Sequence, residues 1–217
     1  MITTSRDGDV HIVTMDAEPN TVQPAFVAAM NDAFDAIEAA KAGAIVLTGT
    51  GKTFNSGLDV SVVMSLAGDD ARAFGENLMR LMRRLLIGPI PVVAAVNGHA
   101  FAAGAFLALA CDFRIMREDR GWICISEIDV GVPIGVAMMS ILRAKLPART
   151  AVEAVLTGRR YAASEAIASG FADASAPQQD LLAVAVERAA GLAAKERGIM
   201  ARLKKTLWAD VAERLIP

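Results

Sequence analysis

Apolar and polar positions follow two rhythms along the chain. Val10 to Met15 (VHIVTM) is a β-branched run behind the turn Asp7-Gly8-Asp9, which predicts the second arm of a hairpin. Phe26, Met30, Phe34 and Ile37 recur at spacings of three and four, the signature of an amphipathic helix. Gly43 then opens Ala44 to Thr48, an uncharged run that ends in Gly49-Thr50-Gly51 and suits a strand buried on both faces. A Met- and Leu-rich stretch predicts a second helix over about 70–86, and Pro91 to Val96 predicts a second buried strand. Asn97-Gly98 is its turn, and Ala103 to Ala110 is a helix of small residues. Strands that alternate with helices in this way predict a parallel sheet with helical crossovers. From about Ile134 the pattern is helical almost throughout, so an α/β core over about 1–150 precedes a helical part over about 151–217.

Composition narrows the classes of function. Lys and Arg number 22 against 24 Asp and Glu, and no basic stripe stands out, which disfavours a nucleic-acid partner. Hydrophobic residues make up 54% of the 217, too many for a disordered chain and enough to suggest surface hidden in an oligomer. The uncharged stretch from Leu85 to Cys111 is interrupted by Gly88, Pro89, Pro91 and Asn97-Gly98, so two buried elements joined by a turn are expected rather than a membrane span. Cys111 and Cys124 form no CxxC pair, and with only His11 and His99 the chain offers no metal-ligand spacing. Asp7 and Asp9 interrupt the place of a secretory leader. A reducing, cytoplasmic setting is the expectation.

Two nucleotide motifs fail on inspection. Gly51-Lys52-Thr53 follows a strand, but a phosphate loop requires glycine where Val46 stands. Gly49-Thr50-Gly51 begins a dinucleotide fingerprint whose last glycine is Phe54. Ser56 lies outside any GxSxG elbow.

Two longer segments carry a more specific pattern: AIVLTGTGKTFNSGLDV (Ala44 to Val60) and PVVAAVNGHAFAAGAFLALACDF (Pro91 to Phe113). Together they resemble the two signature segments of the crotonase (enoyl-CoA hydratase/isomerase) superfamily, and the resemblance extends over essentially the whole chain. It implies one domain over 1–217, an α/β fold of repeated ββα units with a helical C-terminal region, assembled as a homotrimer or a hexamer. It also implies an acyl-CoA thioester as substrate, with no cofactor beyond the coenzyme A that the substrate carries. In that chemistry an enolate forms, and two backbone N–H groups stabilise the negative charge on the thioester oxygen. By resemblance these are the N–H of Leu58, after the glycine of FNSGLD, and the N–H of Ala103, at the start of a helix. Family members often have glycine at the positions of Ala102 and Ala103, where a methyl narrows the approach.

The acids distinguish the reactions. Family hydratases have a glutamate where this chain has Phe106, and a second one where it has Glu127, in WICISEIDVGVPIG. One carboxylate suffices to shift a double bond, and the segment from Asn97 to Pro133 looks closest to the Δ3,Δ2-enoyl-CoA isomerases. Apolar neighbours of Glu127 would raise its pKa and make it a better base. Asp129, two residues on, is a weaker rival. Phe106 lines an acyl pocket or belongs to ordinary helix core. Ser56, Asp59 and Lys52 are implied contacts of the coenzyme A portion, and Lys204 and Lys205 either reach phosphate or form a solvated basic face. His99 is expected to make a local turn or interface hydrogen bond, and Asp59 and Asp112 to be structural, in a loop hydrogen bond and a helix-to-strand junction. The alternatives to isomerase are a hydratase and a non-catalytic acyl-CoA-binding member.

Overall fold

The Gly8 turn folds β1 (Ile2–Asp7) back onto β2 (Val10–Met15) in an antiparallel hairpin, the start of a computed structural model that describes residues 1–215. Ile216 and Pro217, the end of the expected domain, lie outside the described residues. α1 (Pro24–Ala39) begins on a proline and buries Phe26, Met30, Phe34 and Ile37, the positions picked out by the spacing. β3 (Ala44–Gly49) then joins β2 in parallel, while β4 (Thr53–Asn55) turns out of that sheet. After α2 (Val60–Ser65) and α3 (Gly68–Ile87) the same step recurs, with β5 (Val92–Val96) in the main sheet, β6 (His99–Phe101) outside it, and α4 (Ala103–Ala110) next. A third repeat runs through β7 (Phe113–Arg117) and β8 (Ile123–Cys124) to α5 (Val136–Lys145). α6 (Ala148–Thr157), α7 (Ala163–Ser169), β9 (Ala174–Ala176), α8 (Gln178–Ala193), α9 (Arg197–Leu207) and α10 (Ala209–Arg214) follow. The fold is therefore α/β, built of ββα repeats with a mainly helical C-terminal region.

The main sheet has the order β1-β2-β3-β5-β7-β9, all parallel after the first hairpin. Its central strands are covered on both sides, which is why they read as unbroken apolar runs. Ile45 and Leu47 of β3 pack toward the α1, α3 and α4 side, whereas Ala44 and Val46 meet Leu181, Ala185 and Ala189 of α8. The uncharged stretch from Leu85 to Cys111 is the end of α3, two short strands and α4, whose eight residues are all buried. No helix among the described residues is long and apolar enough to cross a membrane.

The three strands that leave the main sheet form a small sheet of their own, in the order β4-β6-β8 and parallel throughout. Parallel pairing brings their C-terminal ends to the same edge. Ser56 to Leu58, Ala102-Ala103 and Ser126-Glu127 follow directly after those ends, so three stretches distant in sequence meet there.

Besides the short strands β4 and β6, which the pattern reading did not single out, three elements depart from it. β9 lies inside the stretch expected to be helical; its Ala-Ser-Ala sequence has no strand preference of its own, and pairing with Ile115 to Arg117 of β7 holds it extended. α2 buries none of its residues and starts on the Asp59 cap, a short helix without an apolar stripe to announce it. α3 begins two residues earlier than expected, at Gly68.

Candidate active site

A cavity of about 200 Å³ opens at the edge where the small-sheet strands end. Ser56 and Leu58 after β4, Ala102 and Ala103 after β6, and Ser126 and Glu127 after β8 line it. Leu78 of α3 and Phe106 of α4 add apolar wall. The segment from Val130 to Met138 closes the remaining side.

The backbone at Leu58 is aimed by its neighbours. Val22 N–H donates to Gly57 O at 2.8 Å and Asp59 N–H donates to Val22 O at 2.9 Å, so the flanking peptide groups are tied to Val22. In a parallel bridge of this kind, the N–H of the residue between them points the opposite way. Gly57 has φ +93°, a conformation that L side chains rarely adopt, and its own N–H donates to the buried Asn55 Oδ1 at 2.9 Å. The second arm is built differently. Ala102 holds φ +48° and ψ −122° without being a glycine, anchored by its N–H to Cys124 O at 3.0 Å. Its carbonyl accepts from Ala105 and Phe106, closing the first turn of α4. Neither Leu58 N–H nor Ala103 N–H has an acceptor among the described residues. The arms touch, since a Cβ on Gly57 would stand 3.0 Å from Ala102 Cβ and 3.5 Å from Ala103 N. Gly104 permits the approach of α4 to β4, where a Cβ would fall 2.2 Å from Asn55 O.

Electrostatics favour an anion at this end of α4. Helix N-termini carry free N–H groups and the positive end of the dipole. At the other end Cys111 O accepts from Lys145 Nζ at 3.1 Å and Arg114 Nη1 at 3.3 Å. Burial lowers the Lys145 pKa to about 8 and pushes the Cys111 thiol up to about 12.

Glu127 supplies the only carboxylate among the described residues that line the cavity. Burial raises its pKa above the ordinary 4.5, opposed by a backbone hydrogen bond. Its Oε2 is shielded from solvent and has no hydrogen-bond partner among the described residues. Phe106, where a second acid would stand in a hydratase of the resembling family, is buried and forms wall.

The other expected residues separate into two groups. Ser56, Leu58, Ala103, Phe106 and Glu127 meet around the cavity; Asp59 and Lys52 are not in its wall. The Asp59 carboxylate caps α2, accepting from Ser61 Oγ at 2.7 Å and Val62 N at 3.2 Å, and the Ser61 bond leads in lowering its pKa. Lys52 sits exposed in the turn between β3 and β4, with its N–H bonded to Glu18 at 3.0 Å. Asp129 turns away from the cavity toward Gly158, where a Cβ would lie 2.6 Å from Asp129 Oδ2. Lys204 corrects the phosphate expectation. It is 4% exposed and inside the fold, donating to Asp112 Oδ2 at 2.6 Å and to the carbonyls of Leu85 and Ile90. Lys205 remains exposed. Asp112 makes the expected junction, accepting from Val92 N at 2.8 Å, and His99 stacks against Phe101 and Trp122. Asn55 went unnoticed as a site residue, although Asn55-Ser56-Gly57 has the form of an Asx turn and signalled it. Leu78, Ile134 and Met138 carried no signal beyond being apolar.

Comparison with known proteins identifies the family of the fold. The Enoyl-CoA hydratase/isomerase family matches residues 5–217. Enoyl-CoA delta isomerase 3 of Arabidopsis thaliana is 29% identical over 97% of this chain and 93% of its own. A putative enoyl-CoA hydratase of Thermus thermophilus is 36% identical over 87% of this chain and 75% of its own. The crystal structure of a probable enoyl-CoA hydratase from Mycobacterium tuberculosis superposes with a TM-score of 0.93 at 29% identity, covering 99% of this chain and 91% of that one. A chain with this fold, this cavity edge and a match over nearly its full length belongs to the enoyl-CoA hydratase/isomerase, or crotonase, family.

Proposed function

We propose that the protein is a Δ3,Δ2-enoyl-CoA isomerase of fatty acid β-oxidation that works with Glu127 as its single acid/base. The carrying observation is a single carboxylate in a cavity wall that also holds Phe106. Ionised Glu127 removes a proton from C2 of a 3-enoyl thioester. The electron pair moves into the thioester, and the resulting dienolate oxygen accepts from Leu58 N–H and Ala103 N–H. Protonated Glu127 returns the proton to C4 as the double bond settles between C2 and C3. Two free donors and a desolvated carboxylate whose Oε2 has no partner among the described residues support this route, since a base in such a site binds its proton more readily. Phe106 supports isomerisation over hydration because its ring can neither hold nor activate a water.

Coenzyme A enters as part of the substrate, and the reaction described needs no other cofactor. Ser56 and the backbone of Leu58 and Asp59 run along the pantetheine and adenine in this reading, with Lys52 near the phosphate. The two cysteines are free and buried, which suits a cytoplasmic setting. Exposed Val152 and Leu156 on α6 and Leu203 and Leu207 on α9 support assembly into a trimer or hexamer, checked by sedimentation.

The test is a coupled comparison of 3-enoyl-CoA and 2-enoyl-CoA substrates with wild type and Glu127→Gln. Isomerisation is expected to fall by about 10³-fold in the variant, with negligible hydration in either protein. Strong Glu127-dependent hydration would instead identify a hydratase, and binding without turnover would identify a non-catalytic member. The pH profile adds a second check. The base must be ionised, so kcat/KM falls as pH drops through the raised pKa of Glu127, above the ordinary 4.5. Stability runs the other way: the folded state favours the protonated acid, so this contribution is full below the unfolded pKa and lost as pH rises through the folded one. Glu127→Gln therefore gains stability over wild type at neutral pH and not at acid pH, read from thermal melts.

A further inference from the structure

The site cavity and a second hollow share one bordering residue, Ile134. Gly135 caps α5, and the helix then presents different faces to two spaces. Met138 faces the site cavity, whereas Val136, Met139, Ser140 and Arg143 face a hollow of about 560 Å³ between α5 and α10. Residues three and four apart share a helix face, so Val136, Met139, Ser140 and Arg143 lie together, and Met138 lies off that face. Ile134, immediately before the cap, lines both spaces. Its half-buried side chain packs against the main core, so it is held in place at the partition.

The near space is small. A cavity of about 150 Å³ holds a benzene molecule, so about 200 Å³ accepts a short acyl group, with room for about eight carbon atoms. The far hollow is larger and has Met139 and Val211 in its wall, with Arg143, Asp210 and Arg214 about it. A hydrocarbon chain that passed Ile134 would find apolar surface there.

We infer that Ile134 sets the length of acyl chain this protein accepts, closing the site cavity to chains beyond about eight carbons. The inference rests on the acyl-thioester reading above and names the substrate class within it. It requires no step of the chemistry, so binding alone tests it. Saturated butanoyl-, octanoyl- and dodecanoyl-CoA are titrated calorimetrically into wild type, Ile134→Ala and Ile134→Phe, each checked for folding by its thermal melt. Each additional buried methylene is worth about fourfold in affinity. Wild type is expected to bind octanoyl-CoA more tightly than butanoyl-CoA and to gain nothing further with dodecanoyl-CoA. Ile134→Ala opens the partition, and dodecanoyl-CoA then gains about tenfold or more over octanoyl-CoA. Ile134→Phe advances the wall, and octanoyl-CoA loses about tenfold while butanoyl-CoA is unchanged. One length profile shared by all three proteins, or a wild type that already gains through dodecanoyl-CoA, overturns the role of Ile134 and leaves the acyl-thioester reading standing. Failure of wild type to bind any of the three esters overturns that reading, and this inference with it.

Discussion

The two backbone arms at the cavity, Gly57–Leu58 and Ala102–Ala103, both turn through a positive φ, yet only the first does so with a glycine. At Gly57 the conformation is close to free of steric strain, and an Asx turn from Asn55 holds it. At Ala102 the backbone sits at φ +48° and ψ −122° with a methyl group present. A non-glycine residue held outside its allowed regions costs on the order of 1–3 kcal/mol and persists only where the surroundings impose it. Here the surroundings are the bond to Cys124, the first turn of α4 and the contact with Gly57. One arm is thus shaped by its own residue and the other by its neighbours. Substitutions should therefore damage the first and relax the second.

Gly57→Ala gives the largest expected effect. The added Cβ meets Ala102 Cβ and Phe101 O, both at 3.0 Å, and φ +93° is itself strained for alanine. The Leu58 N–H then moves off its aim. If that donor serves an oxyanion, its loss lowers kcat by about 10²–10³-fold, while urea unfolding records a drop of about 1–3 kcal/mol. A kcat within a few-fold of wild type would remove Leu58 from the site. Asn55→Ala acts on the same arm through a single bond. It leaves the Gly57 N–H without its acceptor in a buried place, a loss of about 1–3 kcal/mol in stability. The Leu58 arm loosens without being displaced, so kcat should fall roughly tenfold with KM little changed. A change confined to KM would mean that Asn55 does not position the donor.

The two arms also differ in how far the sequence revealed them. Asn55-Ser56-Gly57 announces a turn through residue types that favour one. The strain at Ala102 left no trace in its residue type, since alanine prefers ordinary helix; only the glycine usual there in the resembling family pointed to it. The same division runs through the fold. β3 and β5 were legible because burial on both faces demands unbroken apolar runs, whereas β9 is extended only through its pairing with β7. Lys204 read as a surface cation because its partner Asp112 lies 92 residues away. Glu127 was legible by type and by resemblance, while its unpartnered oxygen and the partition at Ile134 depend on how distant segments pack.

Ala102→Gly is the smallest expected effect and the most discriminating. Removing the methyl relieves strain of about 1–3 kcal/mol, offset by about 0.5–1 kcal/mol for glycine's greater freedom in the unfolded chain. A net gain of about 1 kcal/mol follows, visible as a higher Tm. Because the arm is fixed by Cys124 and by the first turn of α4, Ala103 N–H should keep its aim and kcat should stay within about twofold. The double variant Gly57→Ala/Ala102→Gly sharpens the comparison further. In Gly57→Ala two methyl groups compete for one space, and deleting the second restores part of what the first removed. The two changes should therefore be non-additive, with a coupling of about 1 kcal/mol in stability and a partial recovery of kcat. Strict additivity would mean that the arms are set independently, and that the strain at Ala102 is imposed by Cys124 and α4 without help from Gly57.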